Sequence, residues 1–193
     1  ALKQALASVG QVSVIAPDHN WSAAGHSKTM HKPLRINKVL LADGDHAYST
    51  DGAPSDCVAI AILGFLQQKV DLVVSGINKG SNMGDDITYS GTVAAAMEGI
   101  IWGVPAIAVS LDGYVPEEPE LNNFALAGRV AAQVAQCLLR DPWPTDTLLN
   151  LNVPNVEARD VKGWEVTRLG HRGYRAELIV RSDPFGRPYY WIG

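Results

Sequence analysis

The chain has 193 residues, enough for one domain with a real core plus an appendage, and its 47% hydrophobic and 19% charged content is that of a globular protein. A formal net charge of -4 excludes a nucleic-acid surface built on bulk positive charge. No apolar run reaches the ~18 residues that cross a bilayer, and Cys57 and Cys137, both in apolar helix-like patterns, predict two reduced, buried thiols in a cytoplasmic enzyme or binding protein.

Residues 1–6 (ALKQAL) read as the last turns of an amphipathic helix closed by Gly10. In an alternating α/β chain such a helix has its own strand in front of it, so a leading strand and loop are expected ahead of Ala1. Residues 11–16 (QVSVIA) predict a strand ended by Pro17-Asp18, and residues 19–27 (HNWSAAGHS) a loop at its carboxyl end. Residues 31–41 alternate well enough for a peripheral extended segment, with Asp43-Gly44-Asp45 as a turn before residues 47–49. Pro54 opens a helix with Asp56 in its first turn, favourable at that end, and with Cys57, Ile60, Ala61 and Gly64 on the packed face.

The apolar run 70–74 predicts a buried strand, followed by a glycine-, asparagine- and serine-rich loop over residues 75–90. A helix then starts at Ser90, with Val93, Ala96, Met97, Ile100 and Ile101 on its inner face, and stops at Gly103 and Pro105. A strand feeding a polar loop that opens a helix suits an anion. The first backbone N–H groups lack internal partners, and the helix dipole adds positive potential. Ser90-Gly91-Thr92 supplies two hydroxyls and close backbone access, so a phosphate is expected to dock here.

Residues 106–109 predict another buried strand, residues 122–140 a helix with Ala127, Val130, Ala131, Val134 and Leu138 inward, and residues 148–153 (LLNLNV) a further strand. The alternation predicts an α/β fold of three αβα layers, Rossmann-like, with a mainly parallel sheet and right-handed crossovers. After residue 160 the texture changes. WEVTRLG, YRAELIV and RPYYWIG are short alternating runs that predict a C-terminal antiparallel β-hairpin extension, rich in Tyr and Trp, as an oligomer surface. The expected division is an α/β core over residues 1–160 and the hairpin extension over 161–193.

In such sheets ligands bind at the carboxyl ends of strands. The segments around Ser22, Ser75 to Asn78, and Ser110 all meet that condition. Their hydroxyl and amide oxygens suit a hard divalent cation, which with a helix N-terminus suits phosphoryl chemistry. No zinc-type Cys/His spacing, G-x-S-x-G elbow, Walker lysine or dinucleotide fingerprint is present.

The block SGINKGSNMGDDITYSGTVAAAMEG, with APD-x-N-x-S upstream and with DGAPSDC, LLNLNVP and DPFGRPYYW, resembles the SurE family of survival proteins over nearly the whole chain. The resemblance implies a divalent-metal-dependent 5'/3'-nucleotidase (a phosphoric monoester hydrolase) with some exopolyphosphatase activity. It also implies a nucleoside monophosphate substrate and a homodimer or homotetramer built through the hairpin. It places metal ligation on Ser22 and Asn78, together with two adjacent aspartates of an NDDG motif expected upstream of Ala1. The phosphate side falls on Asn82, Ser90, Gly91 and Thr92, which makes Asn78, Ser90 and Thr92 the catalytic candidates.

Asp85-Asp86 is the only adjacent aspartate pair, but it lies in a different place from NDDG, and a loop-ordering role fits it better. Ala53 stands where the family often has threonine. Lys79 reads as a solvated lysine, His26 as a support for the Ser22 loop, and His19, His31 and His46 as surface residues. Arg168, His171, Arg172 and Arg175 form the one local basic cluster. Two rival readings remain: a non-catalytic nucleotide-binding module, if the aspartate pair is absent, and a Rossmann-type oxidoreductase, which the glycine spacing disfavours.

Overall fold

The computed structural model describes residues 1–21, 23–141, 144, 146–171, 173 and 177–192, so the predicted ligand Ser22 and the basic residues Arg172 and Arg175 lie outside the described residues. Helix α1 (Leu2–Leu6) leads into strands β1 (Ile15–Pro17), β2 (Ile36–Leu40) and β3 (His46–Thr50). Helix α2 (Pro54–Ile60) runs on into a wider helical turn, Ala61–Phe65, and is followed by β4 (Val73–Lys79), α3 (Gly91–Ile101), β5 (Ala106–Asp112), α4 (Phe124–Arg140) and β6 (Leu149–Pro154). Strands β7 (Leu178–Ser182) and β8 (Pro188–Ile192) form the C-terminal antiparallel hairpin.

The α/β architecture is the expected one, but its strands are divided between two sheets. One has the order β1-β3-β2, with β1 and β3 parallel and β2 antiparallel; the other, β4-β5-β6, is parallel throughout. Strand β5 lies between the helical layers, and its two-residue period explains the packing. Ile107 and Val109 pack on Ala131, Ala135 and Leu138 of α4, whereas Ala106 and Ala108 meet Val93 and Ala96 of α3. Small residues face α3 because that helix lies close to the sheet. A Cβ added at Gly99 would come within 3.0 Å of Val73 Cγ2.

Several expectations need correcting. Helix α3 buries Ala94, Ala95, Glu98 and Gly99 along with Val93 and Ala96, while Met97 (39% exposed) and Ile101 (61%) turn outward. The helix is covered by α2 on one side and by β4 and β5 on another, so its buried arc is wide and built from small residues. Gly64 is exposed rather than packed. Cys57 is buried, but Cys137 is exposed on the outer face of α4. Residues 164–170 are irregular instead of a strand. The 70–74 strand starts later and runs further, through Asn78 to Lys79, because β5 also continues to Asp112 and offers Ser110 and Leu111 as partners.

That extension needs an irregularity, and the register shifts between Ser75 and Asn78. Gly76 sits inside it with φ +137°, a left-handed value that side chains disfavour. A Cβ there would stand 2.4 Å from the Val109 carbonyl oxygen. Only glycine lets β4 and β5 approach at this point.

Candidate active site

The end of β4 and the start of α3 share a cavity of about 980 Å³. Its wall includes Asn78, Asn82, Ser90, Gly91 and Thr92, five of the residues singled out by the sequence, brought together from two elements. Asn78 reaches the site because the register shift in β4 delivers it opposite Ser110. Its Nδ2 donates to the Gly80 carbonyl at 2.8 Å, and its Oδ1 accepts from the Thr92 hydroxyl at 3.3 Å. Ser90 is the N-cap of α3: its hydroxyl oxygen accepts from Val93 N at 3.2 Å, an arrangement worth about 1 kcal/mol to the helix. Ala94 N makes the first intrahelical bond, to the Ser90 carbonyl, so the amides of Gly91 and Thr92 before it face the anion position.

Asn82 is held differently. It is 5% exposed, and its Nδ2 donates to the Ser110 hydroxyl at 2.8 Å. Its backbone N–H donates to Asn152 Oδ1 at 2.8 Å, while its carbonyl accepts from Asn150 Nδ2 (2.8 Å) and Asn152 Nδ2 (2.9 Å). Asn150 and Asn152, which the sequence reading passed over, thus hold the 79–84 loop on the sheet. Their signal was legible: asparagine at alternate positions of an otherwise apolar strand puts a polar row on one face.

The 19–29 segment is fixed to both neighbouring helices. Gly25 N donates to the Tyr89 carbonyl at 3.1 Å. Thr29 N donates to both Asp56 oxygens (3.1 and 3.2 Å), and Asp56 also accepts from Ala53 N at 2.8 Å. His26 Nε2 lies 2.8 Å from Oε2 of Glu98, which is buried in α3 and whose Oε1 accepts from Trp102 Nε1 at 2.7 Å. His26 therefore ties this segment to α3. Burial, reinforced by the carboxylates of Asp56 and then Asp18, pushes the Cys57 thiol up to about 12, so it is no nucleophile.

Asp86 is part of the cavity wall, while Asp85 lies in a 3-10 turn, Gly84–Thr88, where its carbonyl accepts from Thr88 Oγ1 at 2.8 Å. Lys79 also lines the cavity, its Nζ 5.6 Å from the Tyr114 ring centre. His171 is exposed, 3.6 Å from Asp85, and Arg168 is exposed too. His19 is exposed, as expected, and also lines the cavity.

Among the described residues no group of three His, Cys, Asp or Glu side chains is placed to hold a metal. The Asn78 amide oxygen is a neutral, hard donor of the kind a divalent cation takes, but the charge of such a site has to come from carboxylates. The same cavity also separates the two sheets. Val12, Val14 and Ile15 line it on the β1 side, and Val73, Val74 and Ser75 on the β4 side. Among the described residues β1 and β4 are both edge strands, each with one partner.

A family model described as survival protein SurE matches residues 1–176. The chain belongs to the SurE family. Among curated proteins it is similar to the 5'-nucleotidase SurE of Herpetosiphon aurantiacus, 54% identical over 194 residues that make up 100% of this chain and 74% of that protein. It is also similar to the 5'-nucleotidase SurE of Chloroflexus aggregans, 52% identical over 100% of this chain and 75% of that one. Among solved structures, the SurE protein from Aquifex aeolicus superposes with a TM-score of 0.83 at 42% identity, covering 100% of this chain and 75% of that chain. The SurE match and the α/β core with its hairpin agree with the fold read from the sequence.

Proposed function

We infer that this chain is a 5'-nucleotidase, hydrolysing nucleoside monophosphates to nucleoside and phosphate. The reading rests on one relationship: Asn78 at the end of β4 touches Thr92 in the first turn of α3, inside a cavity able to admit a nucleotide. The SurE relatives that carry the 5'-nucleotidase name match this chain over its whole length, which favours an enzyme over a non-catalytic binding module. Action on 3'-monophosphates and on short polyphosphate is the broader range we propose for the same site.

In this reading the phosphate sits at the start of α3. The Ser90 and Thr92 hydroxyls and the free amides around Gly91 hold its oxygens and take up charge as the leaving oxygen departs. Asn82 shapes the floor through its backbone, pinned by Asn150 and Asn152. Asn78 orients the group from the opposite side. One divalent ion, Mg²⁺ or Mn²⁺, belongs beside Asn78, with Ser22 and two aspartates ahead of Ala1 as its further ligands; bound there, it supplies Lewis-acid polarisation and an activated water.

A leading strand between β1 and β4 would carry those aspartates. The two open edges and the apolar side chains facing each other across the cavity support it. The division into a core over 1–160 and an extension over 161–193 is part of the same proposal. So is a homodimer or homotetramer through the hairpin, supported by exposed Tyr189, Tyr190, Trp191 and Ile192. No helix among the described residues is long and apolar enough to cross a membrane, and we place the enzyme in the cytoplasm on its free cysteines.

The test is phosphate release from AMP by the full-length protein with added Mn²⁺. Release that stops with chelator and is restored by metal is expected. Undiminished turnover in chelator, or none with metal, overturns the reading.

A further inference from the structure

The cavity has an aromatic side that phosphate binding does not explain. His19 and Trp21 both line it, with ring centres 4.9 Å apart and planes tilted by 32°. Tyr89, the residue before Ser90, lines it too and is 62% exposed. The His19 ring is oriented by Asp18, whose Oδ1 is 2.5 Å from His19 Nδ1. The backbone that carries these rings runs close to the phosphate helix: a Cβ on Gly91 would lie 3.7 Å from the Trp21 carbonyl oxygen, and Tyr89 immediately precedes the N-cap Ser90. In addition, the Trp21 indole nitrogen is buried and has no hydrogen-bond partner among the described residues. A buried N–H without an acceptor is unfavourable, and a ligand oxygen or ring nitrogen would relieve it.

We propose that His19, Trp21 and Tyr89 form the subsite for the base of the nucleoside monophosphate. This rests on the nucleotidase reading and adds to it where the base lies and how it is recognised. Three flat rings line this part of the cavity, and they bind any base through its π-face, so stacking area sets most of the preference and the Trp21 N–H adds at most one bond to it. Purine nucleotides therefore bind more tightly than pyrimidine nucleotides, and both more tightly than a sugar phosphate.

The experiment compares AMP with ribose 5-phosphate, which keeps sugar and phosphate and lacks the base. Full-length protein is assayed with Mn²⁺ for the unaltered sequence and for His19→Ala, Trp21→Ala and Trp21→Phe. The unaltered protein is expected to show a KM for AMP at least about tenfold below that for ribose 5-phosphate. The alanine changes should erase most of that ratio, and Trp21→Phe should keep most of it. Equal KM values for the two substrates, or a ratio untouched by the alanine changes, overturns the subsite. Calorimetric titration with adenosine reads the subsite without turnover: weakening of about tenfold in His19→Ala supports it, and no binding or no weakening overturns it. Failure to release phosphate from either substrate, with adenosine binding intact, sinks the nucleotidase reading and leaves the base subsite standing.

Discussion

Thr92 donates its hydroxyl proton to Asn78 Oδ1 across 3.3 Å, joining the first turn of α3 to the far end of β4. The two residues are thereby held as one unit, and each fixes the other's orientation. Replacing Asn78 by alanine removes the amide oxygen and the bond to Gly80, and is expected to lower phosphate release from AMP by at least about 100-fold. Thr92→Val keeps the shape and loses only the hydroxyl, so a loss of about tenfold is expected. Initial rates with Mn²⁺, with circular dichroism to verify folding, check both.

Asn152→Ala tests the floor of the site. It leaves Asn82 N–H, a buried donor, without its acceptor, and removes one of the two bonds to the Asn82 carbonyl. A destabilisation of about 1–3 kcal/mol is expected from urea unfolding. Asn155, just past the end of β6, bonds the 113–123 loop instead, accepting from Asn123 N and donating to the Gly113 carbonyl, so its replacement should leave the Asn82 loop untouched and serves as the control.

The two cysteines should separate by reactivity. Cys137 is exposed and should alkylate with iodoacetamide at pH 8, whereas Cys57 should stay unmodified until urea unfolds the chain. The sign of the pH effect follows from the raised thiol. The folded protein holds the Cys57 proton at a pH where the unfolded chain has released it. The corresponding stability is intact below the ordinary thiol pKa near ~8.5 and is lost as pH climbs toward about 12. Cys57→Ser should flatten the alkaline limb of the stability curve.

The hairpin turn should open in acid. Backbone N–H groups of Arg187 and Phe185, with the Arg187 guanidinium, hold the Asp183 carboxyl below the usual carboxylate range. A lowered folded pKa means that the contribution is present above pH ~4 and disappears as pH falls through the folded value. Amide exchange at Phe185 and Arg187 is expected to accelerate in that window, and Asp183→Asn should show fast exchange at every pH.

The alternation of strands and helices, the α4 core face and the Ser90 cap were all legible in the sequence, because each follows from local periodicity or a single side chain. The path of β4 through Asn78 was not. Residues such as Ser75, Gly76 and Asn78 belong to turns by composition, and only pairing with the length of β5 draws them into a strand. The buried arc of α3 was misjudged for a similar reason. Alanine and Gly99 carry little hydrophobic signal, yet they are what a closely seated helix requires. The bonds of Asn82 to Asn150 and Asn152 span about seventy residues, and no local pattern reports contacts of that separation.

Gly76 carries a further implication for how this enzyme can be altered. Its missing side chain is the clearance between two backbones, and Asn78, which we propose for the site, follows two positions along from that clearance. In a library carrying every amino acid at every position, column 76 should therefore be nearly blank, with even alanine excluded. Engineers wishing to shift substrate preference would do better to leave that hinge of the framework alone and diversify the rim.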